Sequence, residues 1–542
     1  VMSNCTLYSS NYWRLCLLFF KIEAVLSLIA AATETDTHQI INTASEWSSI
    51  HLRSGAAVKK KRIPREENVA RQILDDTFWD VTFPDTQSRC DQINANVIGN
   101  ATPASTGDNR RSIAEYEPMQ GANVACIYKD SLGNEWGGFG VPLSLLKEIA
   151  MDSILYVLVS PAGDANARNF CANLLLETVD PSNVVYIEKT LDSWWTRDYG
   201  AFWVTNPHDG AFIVDHIYNR LTKVEWDFGG CRVNDNAVPE AMAQQLGVPF
   251  ERSGVVLTGG NHMVNGKGAG MSVDKVFDDN MQGTQTKSGI QPFHDWADDA
   301  VEGNIRKAMK DYYGIEHFYT PSDPQDTYID HVDTWGKWVQ DTDGNEILVL
   351  GKYPEGDKNH KAMENLVVDV TNMINETTGK APTIKRITLA MNDSEGTVYG
   401  FYMNCLIFNK KLFVPIIAGA NGKKVRPNSV ADILNKQALA QWESILGEDF
   451  TVIGYTHNVP EIGAAHDAYP PEKDPSTWNI WFTWDALHCR VKGVPDLKSF
   501  VPKAAKSSTK SAKEGSGKKR SGKGGSGKGG YVRSAKAGSG RR

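Results

Sequence analysis

Cysteines are scarce in this sequence, and the spacings that a metal site or a disulfide-dense domain requires are missing. The 542 residues contain eight cysteines, with no CxxC pair and no zinc-type ligand spacing. A small protein held together by a disulfide framework or by structural zinc is therefore excluded. One or two isolated disulfides remain compatible with the sequence.

An apolar run long enough to cross a membrane is also missing from the N-terminal segment. The stretch 14–32 is mostly apolar, but Lys21 and Glu23 interrupt it, and it ends in three alanines. Small residues after a short apolar run are typical of a signal-peptide cleavage site. We interpret residues 1–32 as a signal peptide, which predicts secretion. The alternative is a wrongly assigned N-terminus on a cytoplasmic protein.

Acidic residues are almost absent from the C-terminal end. Residues 501–542 contain 13 lysines and arginines and one acidic residue, whereas the rest of the chain contains 44 basic and 64 acidic residues. This tail is Lys/Gly/Ser-rich and cannot bury enough apolar surface to fold, so we expect it to be disordered. Its charge favours weak, salt-dependent contact with anionic polymers. Residues 33–64, with a basic run at 59–62, are interpreted as a linker or propeptide-like segment.

Between these ends the chain has the composition of a globular protein, since 41% of all residues are hydrophobic. Short apolar runs alternate with stretches that have helical spacing, which indicates an α/β fold of one large domain over 65–500. Predicted strands are 123–128, 154–160 and 183–188, and predicted helices are 141–153, 165–177 and 359–379. A similar alternation recurs later in the chain, with apolar runs at 315–320, 346–353 and 405–416, but no residue-level repeat is visible.

Three polar clusters lie at the ends of apolar runs. "DSWWTRDYGAFWV" (192–204) contains Asp198, "YIDHVDTWGKWV" (328–339) contains His331 and Asp333, and "FTWDALHCRVKG" (482–493) contains Cys489. On an extended segment the side chains of His331 and Asp333 would face the same side. We consider the three clusters as parts of one site.

The residue types suit chemistry on a cationic substrate. A cysteine attacks only as a thiolate, and histidine serves as acid and base near neutral pH. Two carboxylates beside a thiolate oppose its ionisation unless the substrate is itself a cation. A guanidinium would pair with Asp198 and Asp333, favour the thiolate, and stack on Trp195.

Each of these residues also has an ordinary structural interpretation. A lone cysteine such as Cys489 is most often an inert core residue, and His331 alone is more often structural. The His331–Asp333 pair is compatible with half of a metal site, but no further ligands appear at matching spacing. A cysteine protease would explain the cysteine and the histidine but leaves the two aspartates without a role. A non-enzymatic anionic-polymer binding protein would rest on the basic tail alone.

The motifs resemble those of the Porphyromonas-type peptidyl-arginine deiminase family, which also includes agmatine deiminases. The matching pieces are "DSWWTRDYGAFW", "YNR" (218–220), "GGN" (259–261), "YIDHVDTW", "YMNCLIFNKKLFVPI" (402–416) and "DALHCR" (485–490), in the family's order. The resemblance implies a pseudo-fivefold barrel (α/β propeller) of ββαβ units, with disordered N- and C-terminal extensions. It further implies that 65–500 is a deiminase catalytic domain.

The resemblance also implies roles for individual residues. Cys489 would be the nucleophile, His331 the general acid/base, and Asp198 and Asp333 the guanidinium-binding carboxylates. The family's pocket positions fall on a second group of residues: Trp195, Asn404, Arg220, Tyr328 and Ile329. His488 is the sequence neighbour of the nucleophile, but the resemblance assigns catalysis to His331. No metal or organic cofactor is implied.

The implied activity is deimination of arginine, whether peptidyl, C-terminal or free, to citrulline and ammonia. Arg220 matches a family arginine associated with the substrate carboxylate, but a second arginine expected two residues later is replaced by Thr222, with Lys223 next. This departure weakens the expectation of strict C-terminal specificity. The alternative activity is an agmatine deiminase producing N-carbamoylputrescine.

Overall fold

The computed structural model describes residues 102, 104, 109–130, 133, 135–218, 232–281, 283–286, 289–292, 296–325, 330–389, 402–417, 425–455 and 487–501. All of them lie in a unit that spans Trp79–Arg542. The signal peptide, the linker and all but the first residue of the basic tail lie outside the described residues, so these assignments stay predictions.

The strands are short and fall into several small sheets. In chain order they are β1 (Arg111–Ser112), β2 (Met119–Lys129), β3 (Glu135–Phe139), β4 (Ile154–Ser160), β5 (Val184–Glu188), β6 (Phe202–Asn206), β7 (Gly210–Tyr218), β8 (Phe250–Leu257), β9 (Met263–Val264), β10 (Ala269–Met271), β11 (Gly283–Thr286), β12 (Gly289–Pro292), β13 (His317–Tyr319), β14 (Gly336–Gln340), β15 (Glu346–Lys352), β16 (Ile384–Thr388), β17 (Leu406–Phe408), β18 (Lys411–Pro415), β19 (Thr451–Tyr455) and β20 (Lys492–Pro495).

The helices lie between the strands. They are α1 (Leu143–Ala150), α2 (Ala165–Leu175), α3 (Thr196–Tyr199), α4 (Val233–Asn236), α5 (Val238–Leu246), α6 (Lys275–Met281), α7 (Val301–Tyr313), α8 (His360–Thr378) and α9 (Val430–Leu446). Most predicted boundaries agree with them. The predicted helix over 141–153 begins only at Leu143 because Pro142 is its N-cap, and α8 ends at Gly379, which adopts φ 72°.

One connectivity recurs in five sheets of the described residues. An antiparallel pair is followed through one or more helices by a strand that adds in parallel: β20–β2–β4, β6–β7–β8, β9–β10–β13, β14–β15–β16 and β17–β18–β19. The predicted α/β class is thereby confirmed. Among the described strands no sheet closes into a barrel, so the propeller arrangement stays a prediction.

The core explains why these elements form. Helix α8 buries Met363, Leu366, Val370 and Ile374 at helical spacing, and they join a cluster with the apolar residues of β15. The buried run of β4 is apolar on both faces, as expected for a strand that pairs on both sides. Buried polar residues occur both within strands, as with Lys337 and Lys492, and in the turns that precede strands, as with Asp198 and Asp333.

A disulfide links β2 to α2. Cys126 and Cys171 are both fully buried, and their sulfur atoms are 2.07 Å apart. The two residues are separated by 45 positions. Closing a loop of this length in the unfolded chain stabilises the native state by about 4 kcal/mol in the chain-entropy model.

We therefore expect the double variant Cys126→Ala/Cys171→Ala to unfold at a clearly lower urea concentration than the wild-type protein, with a loss of roughly 2–4 kcal/mol. The measurement is equilibrium urea unfolding with and without a reducing agent. Reduction should destabilise the wild-type protein and leave the variant unchanged. Equal unfolding free energies for oxidised wild type and variant would contradict the bridge.

Helix α8, with 19 residues, has four buried apolar positions on one face and polar residues elsewhere. None of the described helices is both long and apolar enough to cross a bilayer.

Candidate active site

The site is assembled from short turns, each of which immediately precedes the first strand of one recurring unit. Asp198 lies in α3 before β6, and Asp333 lies in the 3₁₀ turn Val332–Thr334 before β14. Cys489 lies in the 3₁₀ turn His488–Arg490 before β20. A fourth turn, Gly259–Asn261, precedes β9, and Asn404 precedes β17. Helix α3 packs against the turns that contain Cys489 and Gly260.

Cys489 is 2% exposed and lies against Asn404. The Asn404 side-chain amide donates to Sγ at 3.3 Å, and its oxygen accepts from the backbone N–H of His488 at 3.1 Å. The same oxygen lies 3.4 Å from the backbone nitrogen of Cys489. Asn404 therefore fixes the turn and offers a donor to the sulfur. The sulfur is also 3.8 Å from Asp333 Oδ2.

Asp333 has one engaged and one open carboxylate oxygen. Oδ2 accepts a hydrogen bond from His488 Nδ1 at 2.7 Å, whereas the buried Oδ1 has no hydrogen-bond partner in the part of the chain that the structure describes. Burial raises the pKa of Asp333, but the hydrogen bond from His488 and the nearby cationic groups outweigh it, so the pKa lies below its ordinary value. Asp333 is thus an ionised carboxylate with one oxygen available for a donor.

His488 lies between two carboxylates. Its Nδ1 faces Asp333 and its Nε2 lies 2.6 Å from Glu115 Oε2. Burial, first of all, and Arg197 lower the pKa of His488, and the two carboxylates oppose them. Both ring nitrogens thus lie within hydrogen-bond distance of a carboxylate, and the pKa of Glu115 and of Asp333 lies below its ordinary value. Glu115 was not predicted as a site residue because it lies far from every motif in the sequence.

Asp198 and His331 form a second pair. The imidazole Nδ1 is 3.9 Å from Asp198 Oδ1, and the same oxygen accepts from the backbone N–H of Gly260 at 3.2 Å. A Cβ on Gly260 would lie 2.5 Å from His331 Nδ1 and 2.9 Å from Asp198 Oδ1, so only glycine fits there. The "GGN" motif thus provides a close backbone approach.

The expectation that His331 and Asp333 share one face of an extended segment is wrong. His331 itself is extended, but the chain enters a 3₁₀ turn at Val332, and the preceding Asp330 adopts φ 51°. The turn directs Asp333 toward Cys489 and His488, whereas His331 lies beside Asp198. The two residues still line one region because they lie two positions apart at one turn, which packs against the turn Gly259–Asn261.

Trp195 is half-buried and contacts a guanidinium of the protein itself. Arg232 Cζ lies 4.9 Å from the Trp195 ring centroid and 4.7 Å from the Tyr218 ring centroid. Arg232 also pairs with Asp235 at 2.8 Å. The ring that was predicted to cover a substrate guanidinium is therefore suited to such a contact and already makes one.

Three predicted substrate-binding residues, Arg220, Tyr328 and Ile329, lie outside the described residues, as do Thr222 and Lys223. Among the side chains that the structure describes, no group of three or more His, Cys, Asp or Glu residues is arranged to hold a metal ion.

The comparisons with known proteins agree with the motifs. A family model described as Porphyromonas-type peptidyl-arginine deiminase matches residues 141–425, slightly more than half of the chain. This match includes Asp198, His331, Asp333 and Asn404 and ends before Cys489. A protein named "Putative agmatine deiminase" from Photobacterium profundum is 30% identical over 172 residues, which is 30% of this chain and 42% of that protein.

Solved structures with a similar chain path carry related names. The "Putative Arginine Deiminase from Porphyromonas gingivalis" is 16% identical and has a TM-score of 0.48, covering 71% of this chain and 98% of that one. Agmatine deiminase of Enterococcus faecalis is 17% identical with a TM-score of 0.46, covering 73% and 99%.

The family match over residues 141–425 is long enough to decide the relationship. The chain belongs to the Porphyromonas-type peptidyl-arginine deiminase family, whose members are hydrolases of guanidino C–N bonds.

Proposed function

We propose that the protein is an arginine-directed deiminase that hydrolyses a guanidinium to a ureido group and ammonia through a covalent intermediate on Cys489. The observation that carries this proposal is the open Oδ1 of Asp333. A buried, ionised carboxylate oxygen without a donor is costly, and this one belongs to a carboxylate whose other oxygen is 3.8 Å from the sulfur.

A guanidinium supplies what this arrangement requires. It is a planar cation with N–H donors, so one of them can bond Asp333 Oδ1 while its charge offsets the carboxylate that opposes ionisation of Cys489. Asp198 would bind a second edge of the same group. The bound substrate would then offset the negative charge of the carboxylates and favour ionisation of the Cys489 thiol that attacks it.

The proposed reaction proceeds in two stages. The Cys489 thiolate adds to the guanidinium carbon, and His331 gives a proton to the amine that leaves as ammonia when its C–N bond breaks. Water then adds to the resulting S-alkylthiouronium, losing a proton to His331, and the C–S bond breaks to release the ureido product and the thiolate. His488 is unsuited to this task because both of its ring nitrogens are held by carboxylates.

We further propose that the five recurring strand–strand–helix–strand units surround a pseudo-fivefold axis. Supporting this, each unit begins directly after a turn that lies in the site: α3, Gly259–Asn261, Val332–Thr334, the Asn404 loop and His488–Arg490. Five equivalent turns that meet at one axis would explain how residues almost 300 positions apart come into contact.

Secretion of the protein is part of the proposal. The apolar segment at 14–32 supports it, and so does the Cys126–Cys171 disulfide, because such bonds persist mainly in oxidising compartments.

The substrate is proposed to be an arginine with a free carboxylate, and Arg220 is the residue proposed to bind that carboxylate. The alternative substrate is agmatine, which the name of the Photobacterium relative favours. Agmatine has the guanidinium but no carboxylate, so the two substrates differ at one end only.

The test measures kcat/KM for free arginine, a peptide ending in arginine, its C-terminal amide, and agmatine. A charge-assisted pair contributes about 1.5–3 kcal/mol, so Arg220→Ala should lower kcat/KM for the two carboxylate substrates by roughly tenfold to a hundredfold and leave agmatine unaffected. Lys361→Ala, at an exposed position of α8, is the control.

Preference of the wild-type enzyme for agmatine over every arginine substrate would establish the alternative. The same discrimination by wild type and Arg220→Ala would place carboxylate recognition elsewhere. Absence of ureido product from all four substrates would contradict the proposed function.

A further inference from the structure

A cavity of about 80 Å³ borders the candidate active site without including its nucleophile. Its lining contains Asp333 and His488 but not Cys489, Asn404, His331, Asp198 or Trp195. The cavity therefore contacts Asp333 and His488 but not the sulfur of Cys489. The mechanism proposed above makes no use of it.

Three buried cationic side chains line this cavity. Arg197, Lys337 and Lys492 are 5%, 4% and 9% exposed, respectively. They come from α3, β14 and β20, three separate parts of the sequence. Buried lysine and arginine are rare unless they are paired, so their convergence on one small space requires compensation.

The described part of the protein does not supply enough acceptors for these cations. Arg197 Nη2 is buried without a hydrogen bond, and its acidic neighbour is Glu115 Oε2 at 3.6 Å. Lys337 Nζ is likewise 3.6 Å from Glu115 Oε1. Lys492 Nζ lies 4.5 Å from the Phe202 ring centroid, and no ion pair or hydrogen bond joins it to another described residue.

Two described carboxylates line the cavity, Glu115 and Asp333, and one oxygen of each contacts His488. Glu115 accepts from His488 Nε2 with one oxygen and from the backbone N–H of Ile407, at 3.1 Å, with the other. Asp333 forms no ion pair with Arg197, Lys337 or Lys492, although all four belong to the described residues. Arg197 and Lys337 thus share one carboxylate at 3.6 Å each, and Lys492 forms an ion pair with none of the described carboxylates. Burial and the proximity of Arg197 hold the pKa of Lys492 well below its ordinary value, so an anion in the cavity would favour the charged form of its amine.

A neutral donor lies at the same cavity. Burial, with Lys492 nearby, lowers the pKa of His262 to about 3, so its ring is neutral. Its Nδ1 is buried and has no hydrogen-bond partner among the described residues. The ring stacks on Phe202 at 4.6 Å, which fixes its orientation. A neutral imidazole can present Nδ1–H to an anion without adding charge.

We propose that this cavity is a binding site for a small monovalent anion, either a halide or a carboxylate of the size of formate, held by Arg197, Lys337 and Lys492. A cavity needs on the order of 10–15 Å³ to hold one water, so the observed volume accommodates such an ion with a few waters.

The experiment uses the full-length protein and three sodium salts. Melting temperature is measured in increasing bromide, formate or gluconate at constant ionic strength, because gluconate is too bulky for the cavity. An ion that binds only the folded state raises the melting temperature in a saturable way. Bromide or formate should do so in the wild-type protein and in Lys361→Met, whose lysine is exposed on α8.

The variant Lys492→Met retains most of the apolar stem and removes the charge, so it should lose the anion-specific rise. General salt effects act on all three proteins alike and cancel in this comparison. Stabilisation by both anions indicates a site that recognises charge alone, and stabilisation by formate only indicates a carboxylate site.

A crystal grown in bromide supplies the second measurement. An anomalous peak is expected between Arg197 Nη2, Lys337 Nζ and Lys492 Nζ if halide binds. The proposal is overturned if neither anion stabilises the wild type more than gluconate, or if Lys492→Met retains the full difference. If Lys492→Met does not fold, Lys337→Met and the wild-type anomalous map decide the question instead.

Discussion

Replacement of Cys489 by serine is expected to lower kcat for ureido-product formation by about 10⁴-fold or more. Serine provides a neutral hydroxyl, and neither of the two described side chains beside the sulfur, Asn404 and Asp333, is a strong base: the first is an amide, and the second is a carboxylate with a depressed pKa. The fold should be preserved because the two side chains have similar size. The measurement is a colorimetric ureido assay together with ammonia release, at saturating substrate.

The protein contains a matched control for this experiment. Cys405 and Cys489 are the free cysteines among the described residues, and both are buried. Burial raises the pKa of Cys405 to about 12, and Cys405 makes no hydrogen bond to Asn404 or Asp333 through its sulfur. Cys405→Ala should therefore keep its activity. Cys489→Ser with more than a few per cent of wild-type turnover would remove Cys489 from the role of nucleophile.

Replacement of Asp333 by asparagine is expected to lower kcat/KM by roughly 10³-fold or more. The change removes the charge proposed to bind the guanidinium and leaves a weaker neutral contact there. It also replaces the charged acceptor at His488 Nδ1 by a neutral one, so the loss of activity that acts through the histidine must be separated from the loss of substrate binding. Near-normal kcat/KM would make Asp333 structural.

Glu115→Gln separates the two contributions. Glu115 contacts the same histidine through Nε2 but has no role in substrate binding in our proposal. If Asp333 acts on the substrate, Asp333→Asn should lose far more kcat/KM than Glu115→Gln. Similar losses in the two variants would show that both act through His488.

The pH dependence follows from the same contacts. Because the pKa of Asp333 is lowered, the carboxylate stays ionised as the pH falls through the ordinary carboxyl range near ~4. If kcat/KM is measured against pH and falls between pH 7 and pH 5, the titration of a group other than Asp333 should cause that fall. The same fall should therefore persist in Asp333→Glu. The stabilisation from the contact with His488 is fully present above the pKa that Asp333 has in the unfolded chain. It is lost as the pH falls through the lower pKa of Asp333 in the folded protein.

Local patterns were sufficient to predict several elements because their signals are contained in a few residues. The apolar run at 154–160 forms β4 with the predicted bounds, and the helical spacing at 359–379 forms α8. The "GGN" motif was recognised only as a resemblance. Its physical role, the close approach of Gly260 to His331 and Asp198, required coordinates.

Other features could not be found in this way. Glu115 has no motif around it, and its contact with His488 joins positions 373 residues apart. The disulfide partner of Cys126 was equally undetermined, since spacing does not fix pairing. The extended geometry assumed for His331 and Asp333 failed because a single residue with positive φ and one 3₁₀ turn changed the direction of the chain.

By itself, the sequence determined the α/β class and the family, and it supplied the residue types of the proposed cysteine-based guanidinium site, because hydrophobic period and motif order are local properties of the chain. Only the tertiary structure decided that Asp333 has one open oxygen, that His488 is held between two carboxylates, and that three cations converge on one cavity. Such contacts depend on how five turns from distant units pack together, and the free energy of burying a charge is set by that packing rather than by neighbours in sequence.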